Sequence, residues 1–263
     1  MATDEERFLN DYVPREYPAV ALAVDLVVFA VSGDTLYAAF VRRGTHPFKD
    51  ALALPGGFVR PEEDALTAAW RELEEETGLD LGDHRAHVEQ LATFSSPERD
   101  PRMRVVSVAH LALLATDGRT LPPLATGSDA AAAAWLPVYS VLANEDLAFD
   151  HGDILAAALD RLAGKIEYTL TAARLLPEEF TLNQLRRAYR AVWNTGRIDA
   201  GNFTRKMTGA LQDTGRKATR GKGAPAAVFT VRDEYLSPPL MRPSPEPSGR
   251  PSGRPSGGEG PPQ

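Results

Sequence analysis

The stretch GFVRPEEDALTAAWRELEEETGL, Gly57 to Leu79, decides how this chain is read. Glu72, Glu75 and Glu76 stand at i, i+3 and i+4, so on a helix their carboxylates project from one side. Three like charges this close repel one another unless a cation lies among them. Hard oxygen ligands suit Mg²⁺, which commonly takes substrate phosphates as further ligands. The segment carries helix signals. Pro61 suits a first-turn position, Glu62, Glu63 and Asp64 favour the positive N-terminal end, and Gly78 can terminate the helix. Ala65, Leu66, Ala69, Trp70 and Leu73 make an apolar stripe at helical spacing. The three carboxylates fall beside that stripe, at the edge of a core, where a cleft can be lined. A solvated acidic face is the alternative, and it leaves the framing Gly57, Glu63, Arg71 and Gly78 unaccounted for.

The spacing resembles the Nudix box, Gly-x5-Glu-x7-Arg-Glu-U-x-Glu-Glu-x-Gly-U with U aliphatic. Every fixed position is filled, including Leu73 and Leu79. The resemblance implies an α/β fold, an α/β/α sandwich with a mixed sheet. It also implies a metal held by Glu72, Glu75 and Glu76 with the backbone of Gly56 nearby, and a loop braced by Glu63 and Arg71. Arg71, Glu72, Glu75 and Glu76 become the implied catalytic set, serving water attack on phosphorus in a nucleoside diphosphate derivative.

The 263 residues allow one large domain or two small ones, and 43% hydrophobic content can bury a core. Without cysteine, neither disulfides nor thiolate metal sites exist. The opening MATDEERFLNDY is no basic-plus-apolar signal, and the apolar run Pro18–Val31 is interrupted by Asp25 and too short to span a bilayer. These features predict a cytoplasmic protein without membrane partners. The net charge of −7 hides a split: residues 181–232 carry eleven Lys or Arg against two acids, whereas residues 1–180 carry fifteen basic and thirty acidic side chains. Such a split suggests two units with different partners.

Strands are predicted at Ala19–Val31, Leu36–Val41, Ala51–Phe58, Val88–Phe94 and Val105–Leu114, with a polar loop at Ser95–Arg104. Ala130–Ala134 is helix-prone by composition, whereas Trp135-Leu136-Pro137 reads as a short strand. An apolar helix at Ile154–Leu162 closes the first domain. Beyond it, Thr181 caps a predicted helix through Val192, a turn follows at Asn194-Thr195-Gly196, and Asp199 or Asn202 caps a second helix with Phe203, Met207 and Leu211 inside. A basic stretch at Gln212–Ala224 and a strand at Ala226–Val231 complete the outline of a winged helix-turn-helix. The reading divides the chain into a Nudix domain over 1–165, a winged helix over 166–236 and a disordered Pro/Gly/Ser tail over 237–263.

On this outline Arg205 and Lys206 lie on the recognition helix, and Arg216, Lys217, Arg220 and Lys222 in the wing. Their charges supply phosphate affinity, while Asn202, Thr204 and Arg205 can reach base edges of a DNA duplex. A Nudix box followed by a winged helix resembles the Nudix-related transcriptional regulators of NAD metabolism. The likeness extends to LATFSSPERDPRMRVVSVAHLAL (Leu91–Leu113), AFDHGDIL (Ala148–Leu155), LLPEEFTLNQLRRAY (Leu175–Tyr189) and NFTRKM (Asn202–Met207), with Ser95 where that family usually has Gly. It implies a homodimer that binds a double-stranded DNA operator, senses ADP-ribose or a related nucleotide, and represses genes of NAD synthesis or pentose use. Arg42, Arg43, Arg102 and Arg104 are candidates for phosphate or ribose contacts, and Glu98, Asp100, Asp117 and Asp129 for a general base. A complete box keeps hydrolysis of ADP-ribose open. It also keeps open a dedicated Nudix hydrolase whose C-terminal domain serves dimerisation or RNA binding.

Overall fold

The computed structural model of the chain describes residues 3–13, 18–80, 82, 86–125, 130–219, 225–231 and 241. A short helix α1 (Asp4–Asp11) precedes strands β1 (Ala21–Ser32), β2 (Thr35–Arg43), β3 (Leu52–Ala53) and β4 (Gly56–Phe58). Helix α2 (Ala65–Thr77), strands β5 (His87–Phe94), β6 (Val105–Leu113) and β7 (Ala130–Pro137), and helices α3 (Val138–Asn144) and α4 (His151–Tyr168) follow. These strands form one mixed sheet in the order β3-β2-β1-β6-β5, with β4 also on β1 and β7 also on β2. The β1–β6 pair is parallel and β1–β2 antiparallel.

Strand β1 is buried on both faces, and the two-residue period sorts its side chains. Leu26, Val28 and Ala30 pack with Leu73 and Leu79 from the α2 layer, while Val27, Phe29 and Val31 pack with Ile154, Leu155 and Leu162 of α4. The sheet is thus the middle of an α/β/α sandwich.

Four local expectations are corrected. Helix α2 begins at Ala65, not at Pro61: Asp64 is its N-cap, accepting the Thr67 N–H at 2.8 Å, and Pro61–Glu63 form the turn before it. Its buried side is Ala68, Ala69, Leu73 and Thr77, leaving Leu66 and Trp70 exposed. The Ala51–Phe58 strand splits at Leu54-Pro55, since Pro55 has no N–H for a ladder. The alanine run at 130–134 is strand, because pairing of Ala134 with Phe40 and Leu136 with Ala38 outweighs a weak helix propensity. Helices α1 and α3 were not anticipated.

The C-terminal elements are a 3-10 helix (Thr171–Leu175), β8 (Phe180–Thr181), α5 (Leu182–Val192), α6 (Ala200–Thr208), β9 (Leu211–Ala218) and β10 (Ala226–Val231), with sheet order β8-β10-β9. Thr181 and Gln184 form a reciprocal capping box on α5, and Asp199 rather than Asn202 caps α6. Leu211 is buried but starts β9 instead of lying on the helix. The apolar cluster on the α4 side of the large sheet continues without a break into α5 and α6. Tyr189 is fully buried there, edge-on to Trp193 and Phe203 at 5.2 and 5.4 Å, and its hydroxyl donates to the Thr169 carbonyl. Arg187 and Arg190 of α5 both pair with Asp34 in the β1–β2 turn, at 3.0 and 3.4 Å. The winged helix is therefore packed onto the sandwich rather than tethered to it. Met241, in the segment expected to be a disordered tail, is buried in the same cluster, and its N–H donates to Glu167. The rest of 237–263 lies outside the described residues.

Candidate functional site

Two glycines let strand β4 lie close against β1 and α2. A Cβ on Gly56 would stand 2.2 Å from the Val24 carbonyl oxygen, and one on Gly57 2.3 Å from a Glu72 carboxylate oxygen. The Gly56 N–H donates to Glu76 at 3.0 Å. Arg71 ties the loop to the helix, donating to Glu63 at 3.0 Å, Glu72 at 2.7 Å, Glu75 at 3.2 Å and the Phe58 carbonyl at 3.2 Å. Hydrogen bonds from Arg71 and from the Arg60 N–H hold the Glu63 carboxyl down to about 2. Glu72 and Glu76 line a cavity of about 270 Å³. Glu75 does not; it is turned toward Arg60 and Arg71.

Glu76 is an acid in want of a cation. Burial, and to a lesser degree the nearby Glu72 charge, push its carboxyl up to about 8 against the opposing Gly56 N–H and Arg43. Among the described residues no three acids stand close enough to grip a metal as they are. The donor chemistry nevertheless fits a divalent cation at Glu72 and Glu76, with Glu75 joining on rotation away from Arg71. A pH effect follows. In metal-free protein Glu76 stays neutral up to about 8, whereas the unfolded chain ionises it near 4.5. The native state holds the extra proton between those values, so this contribution to stability is lost as pH rises through them. Glu76→Gln cannot ionise. Its Tm in EDTA should match wild type near pH 4.5 and exceed it increasingly toward pH 8; a pH-independent difference would contradict this.

The same cavity also carries cations. Arg42, Arg43 and Arg102 all line it. Arg43 donates to the Pro47 carbonyl and stacks 4.8 Å from the Phe149 ring centre. Arg102 is gripped by buried Asp100 and lies 5.3 Å from the Phe58 ring centre. Burial and the neighbouring Arg102 charge lower the Arg43 pKa, so an anion between them is favourable. Arg42 donates to the Asp50 carbonyl. Arg104 is not part of this wall; it donates to the Ser96 carbonyl and braces the loop. A cavity lined by both carboxylates and guanidiniums suits a diphosphate bridged to a cation.

Asp25, Arg99 and His151, which the sequence does not single out, line the same cavity and form a network. Buried Asp25 accepts from Ser107 at 2.5 Å and Arg99 at 3.0 Å, and Arg99 also grips Asp150 at 2.6 and 2.9 Å. His151 Nδ1 accepts the Leu54 N–H at 2.8 Å, so the ring proton sits on Nε2, 3.2 Å from Asp25. Burial alone would raise the Asp25 pKa, but His151, Ser107 and Arg99 bring it down to about 2. The signal for this hub was the lone carboxylate in an apolar strand. Of the base candidates, Asp100 lines the cavity but is committed to Arg102. Glu98 lines a neighbouring hollow. Asp117 caps the turn at Arg119 and Thr120, and Asp129 lies outside the described residues.

On the C-terminal module, Thr204 and Arg205 are exposed on α6, and Arg205 is steadied by the Asn202 side chain at 2.8 Å. Lys206 is half-buried, Lys217 is exposed on β9, and Arg216 beside it pairs with Glu179. Arg220 and Lys222 lie outside the described residues.

A Nudix sandwich carrying a winged helix defines a class of nucleotide-linked DNA-binding proteins. The Nudix domain family matches residues 20–158, and the NrtR DNA-binding winged helix domain matches 172–231. The chain is 32% identical over 245 residues to the ADPR responsive transcriptional repressor NtrR of Acinetobacter baylyi, covering 91% of this chain and 94% of that protein. Its fold is similar to Shewanella oneidensis NrtR complexed with a 27mer DNA: TM-score 0.67, 31% identity, 80% of this chain and 93% of that one. It is also similar to the NUDIX domain of that NrtR complexed with ADP ribose: TM-score 0.54, 30% identity, 61% of this chain and 99% of that one. The chain belongs to the NrtR family of Nudix-related transcriptional regulators. Among the described residues no helix is long and apolar enough to cross a membrane.

Proposed function

We propose that this protein is a DNA-binding transcriptional repressor that senses ADP-ribose or a close relative through its Nudix domain. The observation that carries the reading is one packed unit joining a carboxylate–guanidinium cavity to a basic winged helix. Glu72, Glu75 and Glu76, with the Gly56 backbone, hold Mg²⁺ or Mn²⁺, and Arg71 positions their helix. A bound cation neutralises phosphate charge and polarises the phosphorus centre. Arg42, Arg43 and Arg102 hold the diphosphate and ribose oxygens, while Arg104 supports them through the loop. Asn202, Thr204, Arg205, Lys206, Arg216 and Lys217 approach an operator duplex, joined by Arg220 and Lys222. The Nudix domain spans 1–165 and the winged helix 166–236, and two copies pair to read a two-fold operator.

A gel shift on duplex DNA from upstream of the protein's own gene is the test. A sequence-specific complex supports the reading, and its absence sinks it. A second reading, ADP-ribose hydrolysis, is favoured by the intact set of box carboxylates. Mg²⁺-dependent AMP release that falls at least about 100-fold in Glu76→Gln marks turnover. Equal trace release by both proteins marks a sensor that does not consume its ligand.

A further inference from the structure

Strand β3 ends at Ala53 and β4 begins at Gly56, so Leu54 and Pro55 stand in neither. Leu54 and Gly56 nevertheless line the cavity together with Glu72 and Glu76. Leu54 is buried, and a buried N–H without an acceptor is costly. Its acceptor is a side chain: the Leu54 N–H donates to Nδ1 of His151 at 2.8 Å. The Pro55 carbonyl accepts the Leu26 N–H at 2.9 Å, and the Gly56 N–H donates to Glu76 at 3.0 Å.

His151 is the first residue of α4, and its side chain is 5% exposed. Its other nitrogen, Nε2, faces Asp25 at 3.2 Å, and Asp25 is fixed in turn by Arg99 and Ser107. Just ahead of the helix, the Ala148 N–H donates to the Leu52 carbonyl at 2.8 Å, which straps the start of α4 along β3. The imidazole is thus held from both sides. With Nδ1 accepting from Leu54 and Nε2 directed at Asp25, neither nitrogen is left to take a cation or a substrate proton, although His151 lines the cavity.

What His151 does hold is backbone. Gly56 has little room: a Cβ there would stand 2.2 Å from the Val24 carbonyl oxygen and 2.9 Å from an Asp25 carboxylate oxygen. A shift at Leu54 or Pro55 therefore drives Gly56 into β1 or away from Glu76.

We infer that His151 is a positioning residue for the cation and diphosphate, acting through the Leu54 N–H to hold the Pro55–Gly56 backbone where it meets Glu76. This rests on the reading of the cavity as a metal–diphosphate site, and it adds to that site a residue from outside the Gly57–Leu79 stretch.

The test uses the full chain and Mn²⁺, whose binding is read by electron paramagnetic resonance without any turnover. His151→Leu removes the acceptor. His151→Asn keeps an oxygen near the place of Nδ1 and, like the leucine variant, loses the Asp25 contact. Mn²⁺ affinity is expected to fall about 10- to 100-fold in His151→Leu. In His151→Asn it should stay within about threefold of the unaltered protein. Amide hydrogen exchange gives a readout that needs no cation. In metal-free protein the Leu54 N–H should stay protected in His151→Asn and lose protection in His151→Leu, while Val28 in β1 stays protected in both. Equal weakening of Mn²⁺ binding by the two variants would assign the effect to the Asp25 contact and overturn the inference, as would unchanged Mn²⁺ affinity in His151→Leu. If Val28 also loses protection in His151→Leu, that variant is unfolded and His151→Asn decides alone: Leu54 protection with Mn²⁺ affinity retained supports the inference, and loss of either overturns it. An unaltered protein that binds no Mn²⁺ sinks the cation reading itself and this inference with it.

Discussion

Arg99→Met is expected to lower the unfolding free energy by about 3–5 kcal/mol, because it strands buried carboxylates. The Arg99 side chain is 4% exposed and Asp25 7% exposed, and Arg99 also neutralises Asp150. Removing the guanidinium leaves Asp25 with His151 and Ser107 as its remaining partners. Urea unfolding of both proteins measures the loss. Adding Asp25→Asn to Arg99→Met removes the stranded charge and should recover part of it, which a double-mutant cycle separates from lost packing. A single-variant loss under about 1 kcal/mol would show that solvent reaches Asp25 and that the network is not a buried hub.

Arg205→Ala is expected to weaken specific DNA binding by about 10- to 100-fold while leaving ADP-ribose affinity unchanged. Arg205 is exposed on α6 and aligned by Asn202, so its loss should spare the fold, and the proposed base-edge contact is what the substitution removes. Lys217→Ala should weaken specific and nonspecific duplexes alike and reduce the salt slope by about one unit, as for a phosphate contact. Fluorescence anisotropy across a salt series distinguishes the two. Loss of ADP-ribose binding in Arg205→Ala would indicate a folding defect instead, and an unaltered DNA affinity would remove α6 from the interface.

What could be read in advance follows from where the information lies. The box was legible because its charges and glycines are fixed by local needs: Gly57 leaves room for Glu72, Gly78 ends the helix with φ 68°, and Arg71 bridges Glu63 to Glu72. The winged helix was legible because Thr181 and Asp199 announce its two helices. Less could be read where a distant partner decides. The Ala130–Ala134 run is strand only because β2 offers it an edge. Asp25 finds Arg99 and His151 across long sequence separations, and composition shows none of that pairing. The left-handed backbone at Phe48 and Phe149 carries no glycine or asparagine to announce it. Pro61 suits a first-turn position, but the helix starts four residues later, where Asp64 accepts the Thr67 N–H and Glu63 is held by Arg71 and the Arg60 N–H in the preceding turn.

The continuous core between sandwich and winged helix bears on how an effector reaches DNA. Helix α4 starts at His151, which lines the carboxylate–guanidinium cavity, and Trp193 of the winged helix hydrogen-bonds to its Ala163 carbonyl at 3.3 Å. A ligand that binds one arrangement of this unit better than another must shift DNA affinity, and DNA must shift ligand affinity by the same factor. The most direct measurement is therefore reciprocal: operator affinity titrated with ADP-ribose and Mg²⁺, and ADP-ribose affinity measured with and without operator. The same change, about fivefold or more, is expected in both directions. Operator binding indifferent to saturating ADP-ribose would contradict it.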